Sequence, residues 1–309
     1  MAKRLGWTFL IAGALGMIAQ IIHNLWETYC TSPDLILSRT LGSDTLISMG
    51  ILGAILGGLG FYRHLEARTS FGAGLPFSGF AFALGQSMIS PWTKPAEQGR
   101  EGLLRCISHG LWIIIWFNVL VFALSFFIAD VYYFGLGIHD SSKFFLIQPL
   151  TAPVTGNLLY LTSFVCCGLI ACLWEIVLVV TGLPMIAVLA LSWCSGALLA
   201  PTGIMSWLAS WGGWGIEVTV MNGGAMLYDI AFMFLNGAPG AVFEFVVLVA
   251  TLGCLFLTGL LTFVIHTVKY GHLPQNATIE ERILARGIRL KRLFSFVGPR
   301  QEWLQQGNA

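Results

Sequence analysis

The stretch "FGAGLPFSGFAFALGQSMISP", residues 71–91, decides how this chain is read. It is long and apolar enough to cross a bilayer. Yet it opens with Gly72 and Gly74 ahead of Pro76, and it carries Ser78, Gln86 and Ser87 in its body. Lys94, Arg100 and Arg105 follow it. Two readings compete: a full membrane span, or a segment that enters the membrane and turns back.

The surrounding composition makes the membrane the relevant solvent. Only 10% of the 309 residues are charged and the mean hydropathy is +0.79, against about 25% charged residues in an ordinary soluble domain. The net charge of +1 singles out no acidic partner and gives no reason to expect nucleic acid. Of the seven cysteines, Cys166, Cys167, Cys172, Cys194 and Cys254 sit inside apolar runs without CxxC or metal-ligand spacing, which fits small packing residues. The apolar run after Lys3 and Arg4 lacks a small-residue cleavage site, so it reads as a retained first span.

A helical span needs about 20 mainly apolar residues. Segments 5–26, 46–62, 111–130, 158–182, 183–200 and 240–268 meet or approach that length. Two others, 71–91 and 211–235, are interrupted by glycine and polar residues. Lys and Arg collect on the cytoplasmic side. Lys3 and Arg4 therefore put the N-terminus in the cytoplasm, and Lys269, Arg282, Arg286, Arg289, Lys291, Arg292 and Arg300 put the C-terminus there. Lys94, Arg100 and Arg105 stay inside only if 71–91 returns to the side it came from, which also leaves the poorly basic loop 131–157 outside. Two re-entrant hairpins fit the charges better than two extra spans. The expected fold is an all-α polytopic membrane protein in a bacterial inner membrane.

An internal repeat follows the same division. Each half runs through a first span carrying a polar residue, a second span, a glycine-rich break and a third span. Gln20 aligns with Glu175, Gly72 with Gly213, Gly74 with Gly215 and Gly102 with Gly240; Thr219 falls where Pro76 would. Three spans and a hairpin per unit place the second unit, 141–270, upside down relative to the first, 1–140. Inverted units whose broken helices meet near the midplane are a recurring plan of transporters. Residues 271–309 read as a basic amphipathic tail on the inner leaflet, or as a partner-binding helix. The Asn276 sequon falls in this cytoplasmic tail and is discounted.

Carboxylates inside apolar segments are the natural candidates for chemistry, because one at the bilayer centre costs about 2.5–3.5 kcal/mol. Glu217, inside "WGGWGIEVT", is the leading candidate for an ion or proton site, followed by Glu175 with its counterpart Gln20. Asp229 is either a coupling residue or a cap on the returning arm, and Glu244 fits the outer interface. Gly72, Gly74, Pro76, Ser78, Gln86, Gly213, Gly215, Glu217 and Asn222 form the expected substrate pathway; the alternative for the glycines is close helix packing, which also accounts for "GAILGGLG". His23, His109 and His266 lie near span ends and suit packing or interfacial positions. No nucleophile elbow, P-loop, zinc-protease motif or catalytic carboxylate pair occurs, so neither an enzyme nor a cofactor is expected.

The first 130 residues resemble the small membrane subunits of the SpoVA family, the stage V sporulation proteins AC and AE. The resemblance rests on Gly57, Gly58, Gly60 and Tyr62, then on Phe71, Gly72, Ala73, Gly74, Pro76, Ser78, Gly79 and Phe80, then on Ser90, Pro91, Glu101, Gly102 and Leu103; Gln20 also matches the end of the family's first span. Members carry one such unit, whereas this chain reads as two. The resemblance implies a channel or transporter for an anionic dicarboxylate such as dipicolinic acid, with calcium, acting with other membrane subunits or as a homo-oligomer. An ion-coupled carrier of another metabolite and a non-transporting membrane scaffold are the alternatives.

Overall fold

A computed structural model describes residues 1–29, 41–95, 98–137 and 154–274. The expected amphipathic tail beyond residue 274, the Asn276 sequon and most charges of the two long loops lie outside the described residues. The described chain is helical, with α1 (Ala2–Tyr29), α2 (Leu41–Gly58), α3 (Phe61–Glu66), α4 (Ser70–Gly74), α5 (Phe77–Trp92) and α6 (Leu103–Asp130). Then come α7 (Asn157–Thr181), α8 (Met185–Leu199), α9 (Ile204–Gly212), α10 (Trp214–Glu217), α11 (Val220–Leu235) and α12 (Ala241–Tyr270). A π turn, Val131–Gly135, extends α6.

Among the described residues, four helices are long and apolar enough to cross a membrane: α1, α6 with its π turn, α7 and α12. The bent pair α8 and α9, turned by 107°, passes the same test jointly. The protein is therefore an integral membrane protein. The sequence led us to expect spans at 46–62 and 183–200; the first helix instead runs over Leu41–Gly58, ending four residues early, and the second is shorter, Met185–Leu199. Gly60 adopts the left-handed conformation (φ 89°) and separates α2 from α3, so the segment does not continue as one helix to Tyr62. Pro184 caps the start of α8, and the chain turns at Gly203 (φ 78°) after it.

Both glycine-rich stretches break where expected. Pro76 has no N–H with which to extend α4, and its backbone is extended (ψ 152°). Thr219 has the same extended backbone (ψ 152°) with no ring to impose it. What holds Thr219 is a two-residue antiparallel bridge to Pro76. Phe77 N–H donates to Val218 O at 2.8 Å and Val220 N–H to Leu75 O at 3.1 Å. Backbone groups freed by breaking two helices thus satisfy each other, as groups without access to water must.

Small residues set the helix packing. A Cβ on Gly13 would meet Phe164 at 2.7 Å, and one on Gly168 would meet Phe9 at 2.7 Å, so α1 and α7 exchange the same contact in both directions. Gly53 of α2 lies against the Ser78 carbonyl and Gly196 of α8 against that of Met221, each too close for a side chain. The first three glycines of "GAILGGLG" that lie in α2, Gly53, Gly57 and Gly58, all pack on neighbouring helices, as the packing reading expects. At the other end of α2, Leu59 O accepts from Tyr270 Oη at 2.8 Å. Trp92, at the end of α5, donates from Nε1 to Gly271 O at 3.1 Å. The ends of α2, α5 and α12 therefore come together.

Candidate functional site

The bridge between Pro76 and Thr219 lies at the centre of a buried region built from four short or half helices. From it α5 and α11 run apart, each with its N-terminus at the bridge. The short helices α4 and α10 lead into it, and each is capped by a side chain from a long helix. Glu175 Oε2 accepts from Phe71 N–H at 2.6 Å. Gln20 Oε1 accepts from Trp214 N–H at 2.9 Å. Trp214 stands as far before Thr219 as Phe71 stands before Pro76.

These contacts correct the residue alignment read from the sequence. Gly72 packs on Thr8 of α1, while Gly215, not Gly213, packs in the same way on Ser163 of α7. Gly74 thus corresponds to Glu217 rather than to Gly215. The pattern "WGGWG" offers two registers, and the hydrogen-bond partners of Phe71 and Trp214 select one. Gly213 instead takes a positive φ of 48° just before α10, with Gln20 Oε1 beside it.

The other expected site residues separate into groups. Ser78 is fully buried and bonded to Tyr62 Oη at 2.9 Å, and Tyr62 also donates to Ala73 O at 2.7 Å. Gly74 abuts the Met185 side chain, and Gly79 abuts the backbone of Ala73 and Gly74. In the second half, Asn222 occupies the place of Gly79, and its Nδ2 donates to Glu217 O at 2.9 Å. Where the first half closes its break with glycine on backbone, the second half inserts two polar side chains.

Glu217 is 5% exposed, and among the described residues its carboxylate has no hydrogen-bond or charged partner. Asn222 Oδ1 and the indole nitrogen of Trp193 are likewise buried without partners, and Trp193 lies against Gly223 next to Asn222. Polar atoms left unsatisfied in a native interior call for an explanation. Asp229 is buried in the body of α11, not at its end, so the expected capping role falls away. Glu244 lies in the first turn of α12, partly exposed, where a negative charge suits the helix dipole.

Glu175 differs from the isolated carboxylate the sequence suggested. Arg4 Nε donates to its Oε1, and Arg4 Nη2 donates to Ser70 Oγ at 2.9 Å. Glu175 is thus a paired, fully buried cap. Gln20 belongs to a neutral chain: its Nε2 donates to Asn24 Oδ1 at 2.8 Å, Asn24 Nδ2 to Tyr160 Oη at 2.8 Å, and Ser163 Oγ to Gln20 Oε1 at 3.2 Å.

Of the expected pathway residues, Gln86 faces open space. It lines a cavity of about 300 Å³ with Phe80, Phe82, Phe117, Met185 and Leu189, and a second of about 370 Å³ with Arg63, Ser90 and Thr93. Glu66 borders both, and a third of about 610 Å³ beside Arg4 and Ser70. Nothing local in the sequence marks Glu66, which stands in a polar stretch two residues before Arg68.

The fold and the buried centre define a polytopic helical membrane protein built around broken helices. Residues 4–124 match the family model described as SpoVAC/SpoVAEB sporulation membrane protein, so the first part of the chain is similar to that sporulation family. No curated protein and no solved structure matches the chain.

Proposed function

We propose that the protein is a membrane transport protein made of two inverted units, each with three membrane helices and one re-entrant hairpin, followed by a cytoplasmic tail. The observation that carries this reading is the head-to-head meeting of α5 and α11 at the Pro76–Thr219 bridge, with an unpartnered Glu217 beside it. Two contacts support the hairpin. Leu59 precedes the 70–92 segment, Trp92 ends it, and both bond to the end of α12. A return of the chain to the side it came from brings both of its ends to the same helix terminus. The reciprocal pairs Gly13–Phe164 and Gly168–Phe9, and the two caps Gln20 and Glu175, are what a two-fold axis lying in the membrane plane produces. With Lys3, Arg4 and Lys269 at one face, both termini are cytoplasmic, and a bacterial inner membrane is the location.

The three cavities all reach Glu66, at the face where α1 begins and α2 ends, while the bridge closes the centre. A path open to one side and shut in the middle suits a carrier or a gated channel better than a permanently open pore. The solute is a small one. From the family, an anionic dicarboxylate such as dipicolinic acid is the first to test, with Glu217 binding a proton or cation and Glu175 keeping α4 in place. The role is transport rather than catalysis, and other membrane subunits or a second copy are the partners.

The test is flux into proteoliposomes across a pH series. Glu217→Gln is expected to abolish or strongly reduce flux and to flatten its pH dependence. Unchanged flux and pH profile in that variant remove the role of Glu217. No flux of any small anion by the parent protein would favour the scaffold reading.

A further inference from the structure

The 610 Å³ cavity is lined by Lys3, Arg4, Trp7, Glu66, Arg68 and Ser70, among others. Of its cations Lys3, Arg4 and Arg68, only Arg4 is spent on a counter-ion. Arg4 is held by Glu175 and by Ser70 Oγ. Glu66 has Arg63 three residues before it on the same short helix, close enough to favour its charged form. Lys3 and Arg68 have no carboxylate partner among the described residues, and both are exposed. Arg68 is fixed over the Trp7 indole at 5.3 Å, which orders its guanidinium without neutralising it.

The depth of this cavity identifies the kind of anion. Trp7 is 38% exposed and the apolar Leu10, one turn further along α1, is 51% exposed. The sequence thus passes from Lys3 and Arg4 through an interfacial tryptophan to a lipid-facing leucine. That order marks the headgroup layer, where lipid phosphates lie. A guanidinium already stacked and oriented, an ammonium and a serine hydroxyl suit the tetrahedral oxygens of a phosphate.

We propose that this cavity is a phosphate-binding site that holds the headgroup phosphate of an anionic phospholipid, through Lys3 and Arg68, next to the Arg4–Glu175 pair. The inference stands apart from transport, and its test reads no flux. Bound phosphate ties the start of α1 to the segment leading into α4.

The test is thermal unfolding of the full chain in non-ionic detergent. Short-chain phosphatidylglycerol is added, against phosphatidylcholine, inorganic phosphate and chloride at matched ionic strength. Phosphatidylglycerol is expected to raise Tm by about 3–5 °C at saturation, with phosphatidylcholine and chloride giving little. Inorganic phosphate alone giving the full rise would overturn the lipid source and leave a free-phosphate site. The double variant Lys3→Ala/Arg68→Ala is expected to keep the basal Tm within about a degree and lose the rise. Glu66→Gln, which removes a carboxylate from the cavity wall, is expected to enlarge it. A rise of the same size in the double variant, or with chloride, would overturn the site.

Discussion

Gln20 and Glu175 perform the same task for opposite halves of the molecule. Each stands on a long helix and caps the short helix that leads to the central bridge, at Trp214 N–H and Phe71 N–H respectively. They differ in charge. The Gln20 cap belongs to a chain of neutral hydrogen bonds through Asn24 and Tyr160, whereas the Glu175 cap is neutralised by Arg4. One short helix is therefore anchored by a network indifferent to charge, and the other by an ion pair at the edge of a basic cavity.

Removing the cation should hurt more than removing the anion. Glu175 is fully buried, while the Arg4 side chain is 42% exposed and can reach water. Arg4→Gln strands a buried carboxylate and is expected to cost about 3 kcal/mol. Glu175→Gln keeps an acceptor for Phe71 N–H and is expected to cost about 1 kcal/mol. Denaturation in detergent micelles measures both, and the order of the two losses is the informative result.

The matched glycines give a second expectation. A methyl on Gly53 meets the Ser78 carbonyl oxygen at 2.0 Å, and one on Gly196 meets that of Met221 at 1.8 Å. Neither backbone can yield cheaply, so Gly53→Ala and Gly196→Ala should each destabilise by about 2–3 kcal/mol. Gly253→Ala in α12 meets nothing within 4 Å and is expected to be neutral or stabilising by up to about 1 kcal/mol. Equal effects at all three positions would contradict the packing described.

Glu66 gives the protein a pH dependence. Burial pushes its carboxyl above the ordinary range, and Arg63 works against that shift. An acid raised in the folded state favours folding fully at low pH, and that contribution is lost as pH rises through the raised value. Glu66→Gln removes the loss. The variant is expected to match the parent near pH 4 and to exceed it in Tm at pH 7 and above. A variant less stable than the parent at pH 7 would contradict the sign.

Much of this architecture was legible because a membrane chain shows little that is polar, and each polar group must do something. The breaks at "FGAGLP" and "WGGWGIEVT" appeared as glycine and proline inside otherwise sufficient apolar runs, and the chain breaks at both. Gln20 and Glu175 could be aligned because each is a strongly polar residue inside an apolar helix. Arg4 could not be connected to Glu175: nothing local marks a pair 171 residues apart, and Arg4 already had an explanation in topology. The glycine register slipped by two because "WGGWG" fits either way, and only the backbone donors at Phe71 and Trp214 choose. Glu66 was missed because its burial depends on how α3 folds back beside α5, which composition does not reveal.

The opposed hairpins are tested most directly by sided labelling. In a background with the seven native cysteines replaced, Lys94→Cys follows the first hairpin and Gly237→Cys the second. A membrane-impermeant maleimide added to intact cells is expected to label Gly237→Cys and spare Lys94→Cys until the membrane is opened. Labelling of Lys94→Cys from outside would make 71–91 a full span and contradict the inverted arrangement.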